Sequence, residues 1–447
     1  MLIFIQLFVL SLGILMFKLK LEYKIAIFFF SVICLDAAII RFIPFGGAKF
    51  FLSMCFIGSE LPRIKRRIKL LKMKKVFPLV LMMILATFVL AFNSAHYQSF
   101  VQILRLIIVE LLAKYFVICY AFIAISSPRQ FKPSFRAAYV ALLILTVFGI
   151  INLITKYAIW IDINYQGIEG GTLGDLGRKF VEADRFRVQA MFQNPFNYGY
   201  ICILMSLFFL YGYLNKIILK KQFYIAQFCC LFGIVLCGCR TVVLCYIVGL
   251  LLFVCNAFYL KKWLGKALVV VIVIFLSFPF IPNIDKYTSL FVKAFDTSTI
   301  AYGNEVGGSS IGMRIVQFTA VLYHIKDHLL FGRGKDFFSI DLGFGEEGIK
   351  TLIDKDLLGL ESVLMNLLLE RGIVGVLFWC VFYGTLLFWA FKLRRYDKYA
   401  YSLYFSLLIV YLTFSNMTGE LNSVFPTLLL IGGCLRILKE KSMTYEV

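Results

Sequence analysis

The sequence predicts an all-α, polytopic integral membrane protein with about 12 to 13 transmembrane helices and two long outer loops. Two observations carry that prediction. Apolar residues fill 61% of the 447 positions and charged ones 16%, with a mean hydropathy of +0.87, which leaves too little polar surface to cover a soluble globule. Apolar runs close to the roughly 20 residues that cross a bilayer recur from Leu2 to Leu438, separated by short basic interruptions. No long Pro, Gly or Ser linker divides the chain, so residues 1–447 read as a single membrane domain.

The first run, Leu2 to Phe17, lacks a basic lead and a small-residue cleavage site, and reads as a retained span. Basic clusters follow at Lys18/Lys20/Lys24, Arg63 to Lys75, Arg129/Lys132/Arg136, Lys216/Lys220/Lys221, Lys261/Lys262/Lys266, Lys392/Arg394/Arg395/Lys398 and Lys439/Lys441. Lysine and arginine accumulate in cytoplasmic loops, so these clusters mark the inside, and the chain goes out and returns between them. The short run Phe45 to Gly58, interrupted by Lys49, is the weakest span. The interval Phe223 to Leu260 would reach roughly 57 Å as one helix against a hydrocarbon core of about 30 Å, so it must be a helical hairpin. Its turn, Cys237-Gly238-Cys239-Arg240-Thr241, then faces outward.

The net charge of +21 would suggest nucleic acid in a soluble chain, but its distribution encodes topology. Residues 156–196 and 283–362 hold 16 of the 25 acidic residues but only 13 of the 46 basic ones, so both read as outer, periplasmic loops. All twelve cysteines lie in apolar segments and none in these loops, which argues against a disulfide framework. The second loop contains Ile315, Phe318, Leu322, Ile325 and Leu329 at helical spacing, with Gln317, His324 and His328 on another face. This predicts an amphipathic helix near 313–329 lying at the outer interface, capped by Ser309 or Ser310.

Against the charge rule, a few cations fall on the outer side. Arg187 lies eleven residues before the chain enters a span at Tyr198, Arg240 stands in the hairpin turn, and Arg314 opens the amphipathic helix. A guanidinium binds phosphate through paired hydrogen bonds and stays charged in apolar surroundings, which suits a lipid diphosphate. The plainer alternative pairs each with a loop carboxylate such as Asp184 or Asp327. Arg105, in the span starting near Val101, would add to the anion site, while Glu110 and Lys114 at i,i+4 read as a structural ion pair. Asp36 with Arg41 reads as structural too. Glu361 stands where the second loop returns to the membrane, a place suited to a general base. His324 and His328 lack a third metal ligand, and Asp354-Lys355-Asp356 is a three-letter match frequent by chance. No metal site or cofactor is expected.

At these residues the sequence resembles the O-antigen polymerase and ligase superfamily, the Wzy and WaaL type membrane glycosyltransferases. Arg187 through Gln193-Asn194-Pro195-Phe196-Asn197 to Gly199, Gly238-Cys239-Arg240-Thr241-Val242, Met313-Arg314 through Leu330-Phe331-Gly332-Arg333-Gly334, and Glu361-Ser362 through Leu369-Glu370-Arg371-Gly372-Ile373-Val374-Gly375 are similar to its motifs and stand in family order. Ligases of this superfamily use a histidine where this chain has Glu361. The resemblance therefore implies a repeat-unit polymerase for O-antigen or capsular polysaccharide, in the bacterial inner (cytoplasmic) membrane with its site facing the periplasm. It implies undecaprenyl-diphosphate-linked glycan as donor and acceptor, a chain-length regulator as a further partner, and no nucleotide sugar or metal. Arg187, Arg240, Arg314 and Arg105 would hold the diphosphate, with Arg240 and Glu361 catalytic. Two alternatives stand beside it: a ligase moving glycan to lipid A core, and a flippase or other transporter of lipid-linked glycan.

Overall fold

The computed structural model describes residues 2–35, 38, 47–71, 77–96, 98–111, 132–165, 181–182, 185–258, 310–335, 337, 357, 360, 362–418 and 432–433. Asp36, Arg41, Lys114, Asp184, Ser309, Asp354-Lys355-Asp356 and Glu361 lie outside the described residues, as does most of 283–362.

The architecture is all-helical apart from one antiparallel pair, β1 (Val181–Glu182) and β2 (Arg185–Phe186), inside the first long loop. Among the described residues the helices are α1 (Leu2–Lys18), α2 (Leu21–Cys34), α3 (Ala48–Leu71), α4 (Phe77–Ser94), α5 (Phe100–Glu110), α6 (Lys132–Thr155), α7 (Ile159–Tyr165), α8 (Pro195–Leu214), α9 (Lys220–Leu236), α10 (Arg240–Phe258), α11 (Ser310–Ile325), α12 (Val363–Leu393) and α13 (Lys398–Thr418). Five of them, α6, α8, α10, α12 and α13, are long and apolar enough to cross a membrane. The predicted hairpin is present as α9 and α10, with Cys237 ending the first helix.

α8 forms the centre of the bundle and packs against α6, α9, α10 and α13. Nearly all of its side chains are buried, from Tyr198 to Tyr211. Outward-facing apolar stripes at helical spacing lie on the surrounding helices: Val140, Val147 and Ile154 on α6, Tyr224, Phe228 and Val235 on α9, and Leu377, Val381 and Phe388 on α12. Such stripes need an apolar solvent, which the bilayer supplies. Phe135 of α6 stacks on Phe208 of α8 with ring centroids 3.9 Å apart. A Cβ on Gly212 would lie 2.6 Å from the same Phe135 ring, so the basic start of α6 sits beside the basic end of α8. The α12–α13 connection adds Lys392, Arg394, Arg395 and Lys398. Arg240, Asn194 and Thr418 lie at the other end of their helices, called outer below.

Lys24, grouped by sequence with Lys18 and Lys20, is instead 1% exposed and bonds Glu60, itself fully buried, at 2.7 Å. It also donates to Ser59 Oγ at 2.9 Å. This pair locks α2 to α3, a 24-residue helix that carries Pro62 and whose first part holds most of the run read as the weakest span.

The amphipathic helix begins at Ser310 and ends at Ile325, three and four residues earlier than its expected limits. The chain then turns through 326–331 because Gly332 closes it with a bond from its N–H to His328 O at 2.7 Å. Gln317 is fully buried, whereas Ile315, Phe318 and Leu322 are exposed. Ala320, Val321 and Ile325 form a small separate core with Phe337, Leu357 and Leu369.

Breaking a buried ion pair from one side leaves an uncompensated charge costing about 3–5 kcal/mol. Glu60→Ala should therefore sharply lower the thermal midpoint in detergent, and Lys24→Met with Glu60→Met should recover most of that loss.

Candidate active site

The segment after Arg187 belongs to the first long loop yet is packed as core. Val188, Gln189, Ala190, Met191 and Phe192 are all nearly inaccessible. Val188 N–H donates to Leu236 O of α9 at 3.2 Å, and Asn152 Nδ2 of α6 donates to Ala190 O at 3.1 Å. Asn194 then caps α8, its side chain accepting from Asn197 N–H at 2.8 Å, with Pro195 in the first helical position. The capping side chain satisfies one of the free N–H groups, and proline there loses no helical bond. The guanidinium of Arg187 lies 6.0 Å from the centroid of the Phe196 ring.

At the hairpin turn, Gly238 adopts φ 65°, the left-handed geometry that commonly ends helices. A Cβ at this glycine would lie 3.4 Å from Arg187 Cγ. Arg187 therefore lies against the turn that carries Arg240. The Cys237 thiol in this turn is drawn below its ordinary range by its interaction with Cys239, helped by the charge of Arg187, in spite of burial. Arg240 itself is exposed at the first position of α10, the end of a helix at which the dipole favours an anion.

Among the described residues, Arg314 Nη1 donates to Gln317 Oε1 at 2.7 Å and Nη2 to Met417 O at 3.0 Å. Met417 is the penultimate residue of α13, which runs antiparallel to α10. Their close approach is fixed at Gly249, where a Cβ would lie 2.6 Å from Val410 Cγ2. At 1.5 Å per residue, Arg240 stands about 13 Å and Met417 about 10 Å toward the outer end from that contact. Arg187, Arg240 and Arg314 thus belong to one end of the bundle. Arg105 is exposed on α5, which packs on α4, and joins this group least directly.

Sequence reasoning missed how the last two motifs fit together. α12 is broken at Gly372, whose φ is 63° and ψ −163°. The break is filled by the Gly332 loop through four backbone bonds. Arg333 N–H donates to Leu369 O (2.7 Å) and Gly334 N–H to Glu370 O (3.0 Å), while Ile373 N–H donates to Leu329 O (3.0 Å) and Val374 N–H to Leu330 O (3.1 Å). Unsatisfied backbone groups are costly at membrane depth, and here each motif supplies the partners the other lacks. Asn93 Nδ2 donates to Phe331 O, and Lys335 N–H to Ser94 Oγ at 3.0 Å, fastening the loop to the outer end of α4.

Arg371, directly before the break, is 6% exposed. Its Nη1 donates to Ala86 O at 3.4 Å, and its Nη2 lies 3.8 Å from Glu110 Oε2. Glu110 thus faces α12, while Lys114, its expected partner, lies outside the described residues. Gly375 makes room for this arginine, because a Cβ there would come within 3.3 Å of Arg371 Cγ and Cδ.

A Cβ on Gly372 would approach Leu330 C and O to 2.4 Å, and one on Gly332 would approach Arg371 N to 2.6 Å. Strained backbone plus displaced neighbours should cost about 2–5 kcal/mol at each. Gly372→Ala and Gly332→Ala should reduce the yield of monodisperse protein in detergent. Gly384→Ala, with nothing within 4 Å of the new atom, should not.

Residues 225–380 match the family model described as O-antigen ligase. No curated protein matches the sequence. The matched stretch begins in α9, includes Arg240, Arg314, the Gly332 loop and the α12 break, and leaves Arg187 and α13 outside. This match, carried by a polytopic helical membrane architecture, makes the chain similar over that stretch to the O-antigen polymerase and ligase superfamily.

Proposed function

We propose that the protein polymerises undecaprenyl-diphosphate-linked oligosaccharide repeat units at the periplasmic face of the bacterial inner membrane, forming O-antigen or capsular polysaccharide. The observation that carries this reading is the grouping of cations at one end of the bundle: Arg187 against the Arg240 turn, and Arg314 at the end of the helix packed on α10. The apolar residues Ile315, Phe318 and Leu322, exposed on α11, support contact of that helix with the outer membrane interface.

In the reaction, an acceptor-sugar hydroxyl attacks the anomeric carbon of the donor glycan. The new C–O bond forms as the bond from that carbon to the diphosphate oxygen breaks, and the lipid diphosphate departs with the electron pair. Arg187, Arg240 and Arg314 neutralise the charge that develops on it, with Arg105 as an added phosphate contact, so no divalent metal is required. Glu361 takes the hydroxyl proton. A chain-length regulator would act from outside this chemistry.

A second reading, transfer of glycan to lipid A core, is favoured by the description of the matched family as O-antigen ligase. Purified protein incubated with one lipid-linked repeat unit and chelator separates the two. A ladder on polyprenyl diphosphate is expected; product only when lipid A core is added would establish the ligase, and no product in either case would bring the transporter forward. Arg240→Ala should abolish the ladder at unchanged protein level, with Arg240→Lys rescuing only in part, because an ammonium cannot reproduce the bidentate contact. Glu361→Gln should be inactive, and a near-normal rate would remove the base assignment.

A further inference from the structure

Ser362 stands at the cap position of α12 but makes no side-chain cap bond. Its place is taken from another helix: the Leu364 N–H in the first turn of α12 donates to Asn416 Oδ1 of α13 at 3.3 Å. Asn416 is oriented for this because its Nδ2 donates to Leu412 O at 2.8 Å, which leaves the carbonyl oxygen facing α12. The next residue, Met417, offers the carbonyl that holds Arg314. Two consecutive residues at the outer end of α13 therefore hold both the arginine that opens α11 and the first turn of α12.

We propose that Asn416 is a positioning residue for glycosyl transfer, fixing the first turn of α12 relative to Arg314 and, through the α10–α13 contact, to Arg240. This inference rests on the glycosyl-transfer reading above. Misplacing a reacting constellation by about 1 Å costs on the order of a hundredfold in rate, so a single trans-helix cap at this junction is enough to matter. Asn416 touches no reacting atom and acts through the helix it caps. Its acceptor oxygen makes the cap, so a carboxylate, which keeps an acceptor there but gives up the bond to Leu412 O, should do better than an isosteric hydrocarbon.

The test compares wild type, Asn416→Leu and Asn416→Asp as purified full-length protein with a lipid-linked repeat unit, alongside hydrogen exchange of the peptide containing Leu364. The leucine variant should lower kcat roughly tenfold to a hundredfold with KM changed less than about twofold, and should speed exchange in the first turn of α12. The aspartate variant should recover part of both. Wild-type kcat in the leucine variant, or an aspartate variant no better than leucine, overturns the proposal. If Asn416→Leu does not fold, the aspartate variant decides, since loss of its activity contradicts an acceptor role. If wild-type protein makes no glycan product, the glycosyl-transfer reading fails separately, and unaltered exchange in a folded leucine variant would still overturn the tie.

Discussion

The break in α12 is the constraint on which the outer part of the molecule depends. A helix interrupted near a membrane surface exposes carbonyls on one side of the break and N–H groups on the other, and apolar surroundings provide no partners. Here the Gly332 loop provides both kinds, and in doing so its own turn is completed. Neither the loop nor the break is stable without the other. That mutual dependence explains why three glycines, Gly332, Gly334 and Gly372, meet at positive φ within a space that admits no Cβ.

From this joint the geometry extends in two directions. Toward the membrane, Arg371 runs past Gly375 to Ala86 and Glu110, so that α12 is tied to α4 and α5 by a charge that is almost wholly buried. Away from it, residues 363–371 form a short helix whose Leu369 joins the small core under α11. The outer elements are then fastened to the main bundle through Asn416 and Met417. The proposed glycosyl transfer needs such a platform, because Arg187, Arg240 and Arg314 would act together only if their separation is fixed.

Much of the fold was legible in the sequence. The hairpin of α9 and α10 followed from the length of an apolar interval and the lysines on both sides of it, and the structure has its turn at Arg240. The amphipathic helix was visible in its spacing, with limits moved because Gly332 turns the chain earlier than periodicity suggests. The α12 break was not legible, since Gly372 interrupts neither the apolar character nor the helical period of its surroundings. The approach of Arg371 to Glu110 was not legible either, because the two stand 261 residues apart. Lys24 looked like a topology marker because the acidic partner lies on a different helix. Asn416 carried no signal at all: a single amide in an apolar helix acquires its role from what the neighbouring helix leaves uncapped. The residues between Arg187 and Asn194 read as loop because composition does not disclose that two helices hold their backbone.

The joint between the Gly332 loop and α12 also pins the two ends of the chain that runs from Lys335 to Ser362. One end is held at Ser94 and the other by the α12 cap, both on helices that the intervening residues do not build. Between those points Phe337 and Leu357 pack with Leu369 in the small core under α11, so the segment is held from within as well as at its ends. A change of length in this segment would therefore be carried to the start of α12, where the small core and the cap from α13 meet.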